Sequence, residues 1–146
     1  MSSSRKVSVT RIIKSTPEAI FAIIDNPTKH PLIDGSDSVK GSRVADQHLK
    51  TGDSFAMDMK IIVPYRITNK VVEYEANRLL AWAHFGGHRW RFELEAVHEG
   101  TKVTETFDWS TSKAPWFIEL KRYPKSHPAG MEKTLDRLAA LVETAV

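Results

Sequence analysis

The sequence predicts an α+β domain. A curved antiparallel sheet of about seven strands wraps around a long C-terminal helix, with two short helices after the first strand. Three observations predict it. From Pro128 to Val146, Met131, Leu135, Leu138, Val142 and Ala145 recur at three- and four-residue intervals with Leu141 beside them. Glu132, Lys133, Asp136, Arg137 and Glu143 take the other side. That spacing is an amphipathic helix. Nearly everything before it alternates with the period of two that marks strands. The exception follows the first strand, where Ser15-Thr16-Pro17-Glu18 opens a helix. Burying the larger side chains of the last helix is worth about 8–15 kcal/mol, at roughly 1.5–3 each. A whole domain is stable by only about 5–15 kcal/mol net, so the helix must lay its stripe on the sheet.

Taken in order, Val7 to Ile13 is a strand with Val7, Val9 and Ile13 on one face. Ser15 and Glu18 then have capping-box spacing, and Pro17 is tolerated in the first turn, where its missing N–H has no partner anyway. Ile20, Phe21, Ile23 and Ile24 are the buried side of this helix, and Asn26-Pro27 ends it. Lys29 to Asp34 reads as a second short helix, and Val39 to Val44 as a weaker strand. After the turn Thr51-Gly52-Asp53, Ser54 to Ile62 alternates Phe55, Met57, Met59 and Ile61 against Ala56, Asp58 and Lys60, until Pro64 breaks it. Tyr65 to Tyr74, Leu79 to Phe85, His88 to Ala96 and Lys102 to Trp109 complete a meander. Their connections are Glu75-Ala76-Asn77-Arg78, Gly86-Gly87 and a segment ending at Gly100. Ser110 to His127 is the least regular stretch and joins the last strand to the final helix. No repeat or linker interrupts residues 1–146, so a single domain is expected.

Composition narrows the chemistry. The 146 residues are 41% hydrophobic and 27% charged, with no cysteine, which excludes a disulfide framework, thiolate chemistry and cysteine-based zinc. No apolar run approaches the roughly 18 residues of a membrane span, and Met1 to Lys6 lacks a signal-type apolar region. A cytoplasmic location without stable membrane insertion is therefore expected. The net charge of +3 is diffuse and lacks the dense basic stripe of a nucleic-acid binder. No Gly-x-Gly-x-x-Gly, phosphate loop or nucleophile elbow occurs, so no cofactor is expected. His84 and His88 lie four apart across Gly86-Gly87 without carboxylates at ligand spacing, so no metal is expected either. Oligomeric state is left open.

The facing of the strands points to a binding site. Trp90, Phe92 and Leu94 alternate with Arg89, Arg91, Glu93 and Glu95, which makes that strand's inner face unambiguous and sets its neighbours. A four-residue loop, Val97 to Gly100, places Ala96 opposite Thr101, Leu94 opposite Val103, Phe92 opposite Glu105 and Trp90 opposite Phe107. At Gly86-Gly87 a two-residue loop would expose Leu80 and Trp82, whereas a three-residue loop turns Leu80, Trp82 and His84 inward; burial favours the second. Val71, Asn69 and Ile67 then also face in. In that register Asn69, His84, Trp90 and Phe107 form one row and Val71, Trp82, Phe92 and Glu105 the next. The concave wall includes Phe55, Met57, Met59, Trp82, Trp90, Phe92, Phe107 and Trp109, more apolar surface than one helix covers. A void of about 300–1,000 Å³ is usual for a small-molecule site. Left empty, it costs about 24 cal/mol per Å³, or about 7 kcal/mol at the low end. It should hold a ligand, water or mobile side chains.

The chain resembles the helix-grip (START/SRPBCC) superfamily, and within it the bacterial polyketide cyclase/dehydrase-like branch. The carriers are Ser15-Thr16-Pro17-Glu18-Ala19 with Phe21, Arg78-Leu79-Leu80-Ala81-Trp82, Phe92-Glu93-Leu94-Glu95, Gly100-Thr101-Lys102-Val103-Thr104, and His127-Pro128 through Leu135-Asp136-Arg137-Leu138. The resemblance covers the whole chain. It implies a hydrophobic small-molecule partner, such as a lipid, polyketide or other aromatic. It also admits a cofactor-free cyclase or dehydratase, or a co-chaperone-like interaction domain with a filled core.

Met57, Met59, Trp82, Trp90, Phe92, Phe107, Met131 and Leu135 are the expected wall. Asn69, His84 and Glu105 are the polar groups among them. Burial raises the pKa of a carboxyl and lowers that of an imidazole, so His84 and Glu105 are the catalytic candidates for proton transfer on a polyketide or enone. The plainer alternative is that these groups satisfy one another, or that Glu105 pairs with a buried cation. Trp116 and Phe117, beside Lys121, Arg122 and Lys125, suit a pocket mouth, an acidic-ligand gate or weak contact with an anionic membrane surface. Equally, Trp116 and Phe117 plug the barrel end.

Overall fold

The computed structural model describes residues 6–34, 39–42, 48–50, 52–60, 64–83, 88–110 and 123–143. Strand β1 (Lys6–Ile13) leads into α1 (Pro17–Ile24), a 3-10 turn (Pro27–Lys29) and α2 (His30–Ile33). Strands β2 (Val39–Ser42), β3 (Ser54–Lys60), β4 (Pro64–Glu75), β5 (Leu79–Ala83), β6 (Arg89–Val97) and β7 (Gly100–Asp108) follow, and α3 (Tyr123–Glu143) comes last. The strands form one antiparallel sheet of seven in the order β1-β7-β6-β5-β4-β3-β2. This is the helix-grip architecture expected from the pattern of elements.

Local chemistry explains the ends of the elements, with two corrections. The cap of α1 is Thr16, not Ser15: the Thr16 Oγ1 accepts from the Ala19 N–H at 3.2 Å. Pro17 is thereby the first helical residue, where its ring is pre-set for the helix. The last helix begins at Tyr123 rather than at Pro128, which sits inside it. A proline there removes one backbone hydrogen bond, so it reads as a start in the sequence although the helix runs through it. Met131, Leu135, Leu138 and Val142 are buried as the periodicity requires, and Leu141 is exposed.

The β6–β7 register agrees residue for residue with the sequence reading: Ala96 opposite Thr101, Leu94 opposite Val103, Phe92 opposite Glu105 and Trp90 opposite Phe107. The β5–β6 register does not. Trp82 faces Trp90 and Leu80 faces Phe92, and the ladder ends at Ala83 and Arg89, so the connection takes residues 84–88 rather than three residues. A shift by two keeps every side chain on its own face, so the burial criterion cannot tell the two registers apart. The β4–β5 ladder carries an irregularity between Val71 and Glu73, and Val71 lies opposite Trp82.

Helix α3 is fastened to the sheet edge at β1. Arg11 pairs with Asp136, and the Lys14 backbone N–H donates to Glu143 at 2.9 Å. Gly100 makes a tight corner beside the end of β1. Its φ is +146°, and a Cβ there would lie 2.2 Å from the Ile13 carbonyl oxygen. On the outer face Glu73 reaches across buried Ala81 to take a two-pronged contact from Arg91, at 2.9 and 2.8 Å, and a third from Arg89 at 2.7 Å. These hydrogen bonds, Arg91's foremost, hold the Glu73 carboxyl below its usual range.

Candidate functional site

The inner face of the sheet carries two apolar clusters that stay distinct. The larger is built on α1, β3 to β7 and α3, with Phe55, Met57, Phe92, Val103 and Leu135 among its members and Trp82 packed against it. The smaller holds Phe107, Trp109 and Met131, with Val7, Val9 and Trp90 against it. The boundary runs between Trp90 and Phe92 on β6, between Phe107 and Val103 on β7, and between Met131 and Leu135 on α3. Glu105 stands on that boundary. It alternates inward between Val103 and Phe107 and lies opposite Phe92 on one side and Val9 on the other.

Glu105 is only 5% exposed, and its Oε1 has no hydrogen-bond partner. A buried unsatisfied carboxyl oxygen costs on the order of 1–3 kcal/mol or more and calls for an explanation. Burial drives its pKa well upward, and the negative charge of Asp34 adds to the effect. Both effects favour the protonated carboxyl over the charged one. Asn69 on β4 is likewise buried, and its Oδ1 has no partner. Both are inward-facing, as the sequence pattern requires. They do not share a site: Asn69 lies one row beyond the Val71–Trp82–Trp90–Phe107 row, and Glu105 one row short of it. In the expected register they stood in adjacent rows.

The aromatic contacts fall into the same two groups. Trp82 meets Phe92 at 5.8 Å and Phe55 at 5.8 Å between ring centres. Trp90 meets Phe107 at 4.7 Å, and Phe107 stacks on Trp109 at 5.7 Å. Trp82 and Trp90 are only partly buried, which leaves indole surface uncovered by protein. Met57, Phe92, Phe107, Met131 and Leu135 are buried. His84, Trp116, Phe117, Lys121 and Arg122 lie outside the described residues, as do the side chains of Met59, Ile67 and Lys125. The expected pairing of His84 with Trp90 across the strands is corrected: Trp90 faces Trp82.

Two histidines among the described residues meet the wall: His88 stands edge-on to Phe107 at 5.6 Å, and the other is His30, on α2. Its ring stacks on Trp82 at 5.0 Å and 22° and stands edge-on to Phe55 at 5.6 Å. Its Nε2 lies 2.8 Å from the Ile24 carbonyl oxygen, to which it donates. Burial lowers its pKa to about 4, against the opposing pull of that hydrogen bond and of Asp34, so the ring is neutral at pH 7. Sequence reasoning missed it. The available signal was spacing: His30 and Ile33 lie three apart and both are buried, while Leu32 between them is 54% exposed. Helix α2 thus spans the site, with His30 against the β3–β5 wall and Asp34, one turn on, acting on Glu105 of β7. The Arg137 side chain of α3 donates to the Asp34 carbonyl oxygen and ties α2 to the long helix.

A family model described as "Polyketide cyclase / dehydrase and lipid transport" matches residues 4–143. The chain belongs to this family. The uncharacterized protein Rv0088 of Mycobacterium tuberculosis (strain H37Rv) is 37% identical to it over 140 residues, or 92% of this chain. The chain spans 62% of the length of that relative and of a second one from the CDC 1551 strain. Among solved structures, the AHSA1-like protein from Aeromonas hydrophila superposes with a TM-score of 0.72 at 25% identity, covering 96% of this chain and 93% of that one. The NE0264 protein of Nitrosomonas europaea gives a TM-score of 0.75 at 15% identity, covering 99% and 97%; at that identity the likeness concerns the fold alone. Among the described residues no helix is long and apolar enough to cross a membrane.

Proposed function

We propose that this domain binds a hydrophobic small molecule between the concave sheet face and α3, as a carrier or sequestering protein. One observation carries the reading: Glu105 and Asn69 present buried, unpartnered acceptor oxygens within an aromatic wall. A ligand that supplies hydrogen bonds there and covers Trp82 and Trp90 would relieve both deficits. The family description, which includes lipid transport, supports the same class of ligand. Trp82, Phe92, Phe107, Met131 and Leu135 form the wall, and Glu105 orients the polar end.

Native mass spectrometry of the purified protein, with melting scans against a panel of lipids and aromatic polyketides, tests this. A true ligand at 100 times its Kd adds about 2.7 kcal/mol of stability. Trp82→Ala should weaken it tenfold or more, while the exposed control Lys102→Ala should not. Failure of every hydrophobic compound to bind would discard the reading in favour of a protein-interaction domain with a filled core.

A second reading, a cofactor-free cyclase or dehydratase, draws on the burial of Glu105, which favours the protonated form that a general acid needs. Turnover of a polyketone by the wild type that is lost in Glu105→Gln, with ligand affinity retained, would favour it.

A further inference from the structure

Two buried acceptors mark the ends of a diagonal across the concave face. Asn69 is 2% exposed and Glu105 5%, and the Asn69 Oδ1 and the Glu105 Oε1 have no hydrogen-bond partner. Asn69 lies on β4 opposite Phe55 of β3. Glu105 lies on β7 opposite Phe92 of β6. Between their rows runs the row of Val71, Trp82, Trp90 and Phe107. Three strand spacings and four residues of rise separate the two positions, about 14 Å by about 13 Å, or about 15–20 Å over the curved face. No single polar group reaches both. The line joining them crosses Trp82 and Trp90, which face each other across β5 and β6 and are both only partly buried. It also follows the seam between the two apolar clusters, since Trp82 packs on one and Trp90 on the other. An apolar body lying there covers indole surface, and each of its ends meets an oxygen that lacks a hydrogen bond. A hydroxyl suits both ends, because it donates and accepts. Unmet acceptors in the interior are unfavourable, so a ligand with one polar end relieves only half of the deficit.

Building on the ligand-binding reading, we infer that the site takes a two-ended ligand: an extended apolar body with a hydroxyl at each end, one on Asn69 and one on Glu105, laid across Trp82 and Trp90. Two hydrogen bonds of about 2.8 Å take up part of the span, and a chain of about ten carbons fills the rest.

The test compares the α,ω-diols from hexane-1,6-diol to tetradecane-1,14-diol with the mono-alcohols of the same lengths, in displacing the neutral fluorophore N-phenyl-1-naphthylamine from the full chain. In a pocket with one polar end the second hydroxyl is a burden, and each diol displaces the probe at least tenfold less well than its mono-alcohol. The two-ended site reverses this at the fitting length. Decane-1,10-diol is expected to match or outdo decan-1-ol, while hexane-1,6-diol falls well behind hexan-1-ol. Asn69→Leu and Glu105→Leu should each weaken the decanediol tenfold or more and leave decan-1-ol within about threefold, because the mono-alcohol keeps the other end. The wild-type comparison needs neither variant, so the inference stays open to refutation should they fail to fold. Mono-alcohols ahead of diols at every length, or a diol affinity indifferent to both substitutions in folded variants, would overturn the inference while leaving ligand binding intact. No binding of the fluorophore or of any alcohol would overturn the ligand-binding reading itself and the two-ended site with it.

Discussion

Two buried ionisable side chains set opposite limits on stability. The folded pKa of His30 is depressed from 6.5 to about 4. Its contribution is therefore fully present above pH 6.5 and is lost as the pH falls through about 4, amounting to about 3 kcal/mol at 1.36 kcal/mol per unit. Glu105 is the reverse case, with a folded pKa raised by burial. Its contribution is present below the unfolded value of about 4.5 and is lost as the pH rises through the elevated folded one. Urea unfolding followed from pH 4 to 9 should give a stability maximum in the mildly acidic range. Glu105→Gln, which cannot ionise, should flatten the alkaline limb and leave the acid limb in place. An alkaline limb identical in the variant would mean that Glu105 is not the group responsible. At the same scale, the uncovered indole surfaces of Trp82 and Trp90 make tryptophan fluorescence the natural reporter of occupancy.

Among the elements, the corner at Gly100 is the most constrained. With φ at +146° and a Cβ that would lie 2.2 Å from the Ile13 carbonyl oxygen, Gly100→Ala meets both a backbone penalty and a collision. It should cost roughly 1–3 kcal/mol or more, read as a lowered urea midpoint at unchanged slope. A midpoint within experimental error of wild type would show that the β1 end can withdraw. This corner closes the β6–β7 hairpin, the part of the sheet most legible beforehand. Strict alternation from Arg89 to Glu95 and a short loop left one register, and Phe92 opposite Glu105 followed from it. Legibility failed where physics is degenerate. Period-two patterning cannot detect a shift by two, so the pattern alone sets β5 two residues off against β6 and brings Glu105 and Asn69 one row closer than the structure does. Pro128 looks like a helix start because proline usually is one. His30 was invisible because a single-turn helix offers no periodicity, and its burial comes from contact with Trp82, 52 positions away in the chain. The apolar wall and two of its inward polar groups could be read from alternation; the third-dimensional neighbours of those groups could not.

For the molecule as a whole, the grip of sheet on helix is the main term. Leu138 of α3 is fully buried in the larger cluster, so Leu138→Ala should cost about 2–5 kcal/mol. It should lower the melting temperature and the urea midpoint alike. A Leu138→Ala protein as stable as wild type would mean that α3 is loosely seated. The outer-face cluster of Glu73, Arg89, Arg91 and Asp108 contributes differently. It bridges β4, β6 and β7 across Ala81 on the outer face of the sheet.

The first strand sits between two late arrivals. It is hydrogen-bonded along its length to β7, and its Arg11 and Lys14 hold the far end of α3. On the ribosome, at about 5–20 residues per second, β1 emerges about 5–20 seconds before the segment it must zip onto. During that interval a strand with one apolar edge, Val7, Val9 and Ile13, waits without a mate, so nascent chains should be most vulnerable to aggregation and most dependent on chaperone protection just before β7 clears the exit tunnel.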